Sequence, residues 1–374
     1  MALRVEERIV AGGEDDRLLV HHLVLRGPDR AIGRHLGEIA RARYRLAPRA
    51  TGDPLRVRRR RTWLRQNAPR LLERMLGLAD ALGVDPAGDA YDLGRVDAPS
   101  PGEACAAVFV PAGATGGGPL LVRVCCAGGR EEPAPCATAG VSRPYVLETY
   151  PEDGRAALAL AAFDPLGAAL DGVNAEGLAV VAARDLESAP AGPLATGRAG
   201  VGLDEHELGR MLLDGCSTAR EARDLLARLE PHYGGAPAHW LVADGQGDAF
   251  VFEIGPGPER AHLLEGEGRP VLVTNHPLHR YPGGAGLPPG PGPAGTYARY
   301  RALSAALARG AAPWGSPAPT GAGSEGGEGA GTVAALWTGI YDLRARALAA
   351  TFFVQGRRAA EGGAAWPELR FGFS

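Results

Sequence analysis

Hydrophobic and polar positions change rhythm along this chain. The first twenty residues carry little pattern and read as a loose lead-in. Leu18 to Leu25 is an apolar run of strand length, and Pro28 then opens a stretch in which Ile32, Leu36 and Ile39 fall on one helical face. From Leu55 to Leu82, the positions Leu64, Leu71, Met75, Leu78 and Leu82 keep helical spacing. Pro69 interrupts them and predicts a kink or a split, because it has no N–H to give to the preceding turn. Residues 1–104 thus read as a mostly helical N-terminal segment.

From Cys105 the period shortens to that of strands. Cys105–Val110 and Leu120–Cys126 are β-prone runs around a Gly-rich turn at 113–118. Similar runs follow at Ala156–Phe163, Leu178–Arg184, His239–Ala243, Ala249–Ile254, Val271–Thr274, Val333–Tyr341 and Ala347–Val354. Asp244-Gly245-Gln246-Gly247 and Asp342–Arg346 read as hairpin turns. Helices are expected at Asp204–Leu213, from Thr218 (a capping box with Glu221, then a stripe of Ala222, Leu225, Leu226 and Leu229) and at Tyr297–Arg309. Residues 282–295 and 311–331 are rich in Gly and Pro and poor in large apolar side chains, so they read as mobile loops. Hairpins rather than regular βαβ units predict an α+β fold. Its catalytic part would span 105–374.

Composition narrows the function. With 45% hydrophobic and 22% charged residues over 374 positions, the chain can build a sizeable core. A net charge of −3 gives no field favouring nucleic acid or an anionic membrane. All 40 basic residues are Arg, and Gly, Ala and Pro abound, a bias that weakens any argument from Gly, Ala or Arg alone. The first twenty residues hold Glu6, Glu7, Glu14, Asp15 and Asp16, unlike a signal peptide, and no run is long enough to span a bilayer, so the expected location is cytoplasmic. Five Cys (105, 125, 126, 136, 216) lack framework or zinc spacing. Gly113–Gly118 has no Lys-Ser/Thr pair after it and is no phosphate loop. Arg56 and Arg58–Arg61 read as a solvated helix face rather than an anion site.

Cys105 carries the chemistry. It follows a polar, Pro-containing loop ending at Ala104 and opens the strand-rich part. Attack of its sulfur on the Ala104 carbonyl, followed by hydrolysis of the resulting thioester, would free an α-amino group on Cys105 itself. Thiol and α-amine ordinarily titrate at about 8.5 and about 7.7–8.0. One residue can therefore supply both nucleophile and base. Taken alone, a buried apolar Cys is the plainer reading. Asn275 ends the strand Val271–Thr274, where a side-chain amide can donate to an oxyanion. Arg123 lies on the second strand of the first hairpin, placed to bind a carboxylate or to favour a thiolate.

These residues, taken in order, resemble the isopenicillin N acyltransferase and choloylglycine hydrolase family of N-terminal-nucleophile (Ntn) hydrolases. Leu25-Arg26-Gly27 with Gly33 and Gly37, Cys105 at the processing site, Gly172-Val173-Asn174-Ala175-Glu176-Gly177-Leu178, the hairpin His239–Glu253, Thr274-Asn275-His276, the Arg-bearing helix Tyr297–Arg301 and Ile340-Tyr341-Asp342 are collinear with that family's motifs. The resemblance implies a four-layer αββα sandwich of two antiparallel sheets. It also implies cleavage between Ala104 and Cys105, leaving residues 1–104 as a pro-region or a separate, still associated fragment. Cys105 is then nucleophile and α-amino base, Asn275 the oxyanion donor and Arg123 an electrostatic partner. Cys126, Asn174, Thr274, His276 and Arg184 stand near them, with Cys126 close enough to Cys105 to pair or pack. Val124 and Cys126 occupy the places of a family Asn and Asp, and Ala183 or Arg184 that of a second family Asn. The implied activity is hydrolysis or acyl transfer on an amide or thioester of a small peptide-like or N-acylated molecule from a secondary pathway. No metal or cofactor is implied, beyond a coenzyme A thioester as a conceivable acyl donor. The rival reading is an uncleaved relative that binds a small molecule or a partner protein.

Overall fold

Leu19 to Gly27 forms a strand, as its apolar run requires, but so does the polar stretch before it. In the computed structural model the described residues are 2–96 (without 15 and 17), 103–128, 143–161, 164–167, 170–188, 194–195, 200–257, 259–310, 333–354 and 367–373. Strand β1 (Arg4–Gly12) pairs antiparallel with β2 (Leu19–Gly27). Helix α1 (Asp29–Tyr44), β3 (Pro48–Ala50), helices α2 (Pro54–Asn67) and α3 (Pro69–Leu82), and β4 (Tyr91–Val96) follow. Ala68, at φ −147°, separates α2 from α3, and Pro69 takes the first position of the second helix. This is the split its ring predicts.

The remaining strands are β5 (Glu103–Val110), β6 (Leu120–Gly128), β7 (Tyr145–Pro151), β8 (Ala157–Ala161), β9 (Asp171–Asn174), β10 (Ala179–Arg184), β11 (Ala238–Ala243), β12 (Ala249–Ile254), β13 (Ala261–Glu265), β14 (Val271–Val273), β15 (Val333–Asp342), β16 (Ala347–Phe352) and β17 (Leu369–Gly372). They form a nine-stranded sheet, in the order β1-β2-β7-β8-β9-β10-β11-β12-β13, and a six-stranded sheet, β14-β5-β6-β15-β16-β17. Side chains of both sheets meet in one core, where Val181, Leu241 and Val251 of the larger face Phe109, Trp337 and Phe352 of the smaller. The alternate positions Val180, Ala182, Trp240, Val242 and Phe252 turn to the opposite side. There they pack with α3 and the helices Glu205–Gly215 and Ala219–Leu229. Both faces are covered, which is why these strands read as unbroken apolar runs. The helix Thr296–Ala308 packs on β5 and β14 and completes the αββα order.

The expected division at residue 104 is not a division of the fold. β1 and β2 are the edge of the nine-stranded sheet, so the N-terminal segment is not simply helical. β2 also pairs with β7 in parallel, His21 opposite Tyr145, so the larger sheet is mixed rather than wholly antiparallel. The parallel pair is available because the chain between β2 and β7 crosses through α1–α3 and the hairpin β5–β6.

Two packing features tie α1–α3 to the sheets. Gly33 and Gly77 let α1 and α3 touch backbone to backbone. A methyl group on Gly33 would overlap the Arg74 carbonyl, and one on Gly77 that of Arg30. Arg60, expected on a solvated face, is instead 1% exposed, 3.1 Å from Asp92 and paired with Glu207 of the helix Glu205–Gly215. A buried guanidinium stays charged and needs carboxylate partners, which α2 finds across the layer. Residues 282–295, which composition marks as mobile, form tight turns that Arg301 pins through the carbonyls of Leu287, Pro288 and Gly290. Residues 311–331, the loop 98–102 and Cys136 lie outside the described residues.

Candidate active site

β5 carries Cys105 on the face turned to the larger sheet, 1% exposed. Its main-chain N–H donates to Asn275 Oδ1 at 2.8 Å. Asn275 follows β14, which pairs with β5 through Val273 and Ala107, so neighbouring strands of one sheet bring together residues 170 apart in sequence. Three bonds fix which way the Asn275 amide points. Oδ1 accepts from Cys105 N and from Arg299 Nη2 at 2.6 Å, and Nδ2 donates to the Arg184 carbonyl at 2.9 Å.

Arg123 comes from β6, opposite Ala107, and donates through Nη2 to Cys105 Sγ at 3.2 Å. Its Nη1 lies 3.7 Å from Asp171 Oδ1 on β9, so this guanidinium bridges the two sheets at the sulfur. Both charges are 2% exposed or less. Desolvation by the site and the nearby Asp171 carboxylate hold the Tyr341 hydroxyl well above its ordinary pKa, so it stays protonated. Burial lowers the pKa of Arg299, and the neighbouring Cys126 and Cys105 sulfurs act against that shift.

The turn after β14 is held rigidly. Thr274 Oγ1 and Thr296 Oγ1 each lie 3.0 Å from His276 Nδ1, and Asn275 N donates to Thr296 Oγ1 at 2.8 Å. Burial among Tyr281, Tyr297 and Tyr300 pushes the His276 pKa down to about 4, so the ring is neutral near pH 7. Glu253 braces the next residues, accepting from Leu278 N at 2.7 Å and His279 N at 3.0 Å. Burial alone would raise its pKa; these bonds and His239 bring it to about 2.

Of the residues named from sequence, Cys105, Arg123 and Asn275 are thus brought together, with Thr274 and His276 building the turn under Asn275. Arg184 contributes its carbonyl, while its side chain turns to Glu205 at 2.9 Å. Asn174 is elsewhere engaged. Its amide donates to the carbonyls of Leu213 and Cys216 and accepts from Glu176 and Leu178, holding the β9–β10 turn on a helix end. Cys126 sits on the opposite face of β6 from Arg123, with Val124 and Ala335, and burial pushes its thiol up to about 12. The residue opposed to Cys105 is Cys125. Ala104 pairs through its backbone with Cys126.

Sequence reasoning left out Arg299, Asp171 and Thr296. Arg299 had a usable signal: Thr296, Arg299 and Leu303 share one helical face, and that face is buried. Asp171 had none, since β9 is four residues long and its partner arrives from another sheet.

The family model described as acyl-coenzyme A:6-aminopenicillanic acid acyl-transferase matches residues 157–282. Over this span the chain is similar to that family. The span runs from β8 to the turn beyond Asn275 and leaves Cys105, Arg123 and Arg299 outside it. Among solved structures, a mutant conjugated bile acid hydrolase from Clostridium perfringens is similar at 12% identity and a TM-score of 0.42, over 72% of this chain and 97% of that one. Penicillin V acylase from Agrobacterium tumefaciens is similar at 12% identity and a TM-score of 0.37, over 67% and 84%. No curated protein matches. Among the described residues no helix is long and apolar enough to cross a membrane.

Proposed function

We propose that this chain is a self-processing cysteine amidohydrolase or acyltransferase of the N-terminal-nucleophile kind, with Cys105 as the nucleophile. One observation carries the reading: the two functional atoms of Cys105 each have a dedicated partner, Sγ with Arg123 at 3.2 Å and N with Asn275 Oδ1 at 2.8 Å. Any buried N–H needs an acceptor, but a merely packed thiol needs no guanidinium beside it.

In this reading Cys105 Sγ attacks the Ala104 carbonyl, the amide nitrogen leaves as the new α-amine, and water releases the 1–104 fragment. The amine stays bonded to Asn275 Oδ1, which takes over the holding role that a carboxylate at the position of Cys126 would have. Arg123 favours the thiolate. The amine removes the thiol proton as sulfur attacks the substrate carbonyl, then returns it to the leaving group. Asn275 Nδ2 and a backbone N–H stabilise the oxyanion. Water then resolves the acyl-enzyme in a hydrolase, or an amine does so in an acyltransferase. The substrate class is a small peptide-like or N-acylated amide, with a coenzyme A thioester as one conceivable donor. No metal or other cofactor takes part. The released fragment remains bound, since β2 pairs with β7 and Arg60 with Glu207 across the break.

Intact mass of the purified protein tests this. Two co-eluting fragments, split before Cys105, are expected, with Cys105→Ala remaining whole and losing iodoacetamide labelling at that position. A whole 38.7 kDa chain whose Cys105 resists iodoacetamide would instead support an uncleaved binding protein.

A further inference from the structure

Cys105 and Cys125 stand directly opposite each other on β5 and β6. Directly opposed residues of antiparallel strands point to the same face, with Cα atoms about 4.5–5.5 Å apart. A disulfide spans Cα separations of about 4.4–6.8 Å, so the backbone already sets the two residues at bonding distance. Both side chains lie in the core between the sheets, 1% and 0% exposed, and both are thiols in this structure. Cys126, next along the strand, faces away into the cluster of Val124 and Ala335. Arg123, two residues before Cys125 and on its face, touches Cys105 Sγ at 3.2 Å and favours the thiolate that oxidants attack.

We propose that Cys105 and Cys125 form an oxidation site, which a hydroperoxide converts into an intramolecular disulfide and a thiol reductant restores. The Cys105 thiolate attacks a peroxide oxygen, the O–O bond breaks, and the other oxygen leaves with a proton as water or alcohol. Cys105 is then a sulfenic acid. Cys125 sulfur attacks the Cys105 sulfur, the S–O bond breaks, and the hydroxyl leaves as water with the Cys125 proton. Two thiols lose two electrons in all, and one peroxide gains them. The disulfide removes the nucleophile from use while guarding it from irreversible oxidation to the sulfinic acid. That consequence rests on the role proposed for Cys105. The bond itself needs neither turnover nor cleavage.

The test treats the purified full chain with hydrogen peroxide and maps peptides without reduction, in the wild type and in Cys125→Ser and Cys126→Ser. The expected wild-type product links the Cys105 peptide to the Cys125–Cys126 peptide and weighs two hydrogen atoms less than the reduced pair. Cys126→Ser keeps the link. Cys125→Ser loses it, and its Cys105 goes on to the sulfinic acid. The proposal is overturned by a link that survives in Cys125→Ser but not in Cys126→Ser, by wild-type Cys105 passing straight to the sulfinic acid, or by thiols that do not react. Cys126→Ser and the wild type decide the matter even if Cys125→Ser folds poorly. A whole, uncut chain that forms the link would keep this site and refute the self-processing enzyme.

Discussion

The main-chain nitrogen of Cys105 donates to Asn275 Oδ1, and Arg299 Nη2 donates to the same oxygen. Two donors converging on one carbonyl oxygen, with Nδ2 tied to Arg184 O, leave the Asn275 amide a single satisfied orientation. The side chain is therefore set before any substrate arrives, which is the condition for electrostatic help to a transition state. In the proposed self-processing, the same bond would hold the new α-amine of Cys105.

Replacing Asn275 separates these duties. Asn275→Asp keeps an acceptor for Cys105 N and Arg299 but loses the donor to Arg184 O and to an oxyanion. Asn275→Ala loses both. We expect either variant to lower acyl-transfer turnover by about 10²–10³-fold, the cost of one missing oxyanion donor. Asn275→Ala should in addition slow fragment formation, read by intact mass over time after synthesis. Unchanged turnover in Asn275→Asp would remove Asn275 from the oxyanion role.

Arg123 predicts the pH profile of the sulfur. A cation 3.2 Å from Sγ favours the thiolate, so removing it must move Cys105 titration to higher pH. Arg123→Met alone would take the guanidinium from the buried Asp171 carboxylate and leave its charge uncompensated, a loss of up to about 3–5 kcal/mol. The double variant Arg123→Met with Asp171→Asn removes both charges. Its rate of iodoacetamide alkylation against pH should have its midpoint above that of the wild type. An unshifted midpoint would make Arg123 a structural bridge between the sheets and nothing more.

Much of the candidate site was legible because its parts lie on or just after strands in one chain order. Cys105 near the start of a strand, Arg123 on its hairpin partner and Asn275 after β14 are all local readings, and sheet pairing turns them into neighbours; β5 itself begins two residues before Cys105, at Glu103. What stayed hidden depends on surfaces that do not exist until the layers close. β1 shows no alternation because it is an exposed edge, with Val5 and Ile9 41% and 56% accessible. Arg60 looks like one more surface Arg until the helix Glu205–Gly215 brings Glu207 over it. The resemblance marks a position, Cys126, whereas the pleat decides which neighbour shares the side of Arg123, and that is Cys125.

The α1–α3 contact gives a prediction independent of catalysis. Gly77 has helical φ/ψ and sits where a side chain would meet the Arg30 carbonyl and the Arg34 nitrogen. In an open helix Gly→Ala stabilises by up to about 1 kcal/mol. Here the methyl group must push two backbones apart. We expect Gly77→Ala to destabilise by about 1–3 kcal/mol, the usual cost of overpacking, read as a lower midpoint in urea. A neutral or stabilising result would mean that α1 and α3 have room to slide.

His276 sets an acid limit on the fold. Its folded pKa, about 4, lies below the ordinary value of 6.5, so between these values the unfolded chain binds the proton and the folded chain does not. The stabilisation is complete above about pH 6.5 and drains away as pH falls towards about 4, by up to about 3 kcal/mol if the ring stays buried throughout. Glu253, held near 2 against an ordinary 4.5, adds its own loss only below about pH 4.5, so the two windows scarcely overlap. His276→Gln should be less stable at pH 7, because the Thr274 and Thr296 hydroxyls lose their ring partner. Its stability should nonetheless vary less between pH 6.5 and 4.5 than that of the wild type. Urea midpoints across that range measure the difference. Equal slopes in the two proteins would show that the ring becomes protonated without leaving its aromatic cage, and that acid sensitivity arises elsewhere.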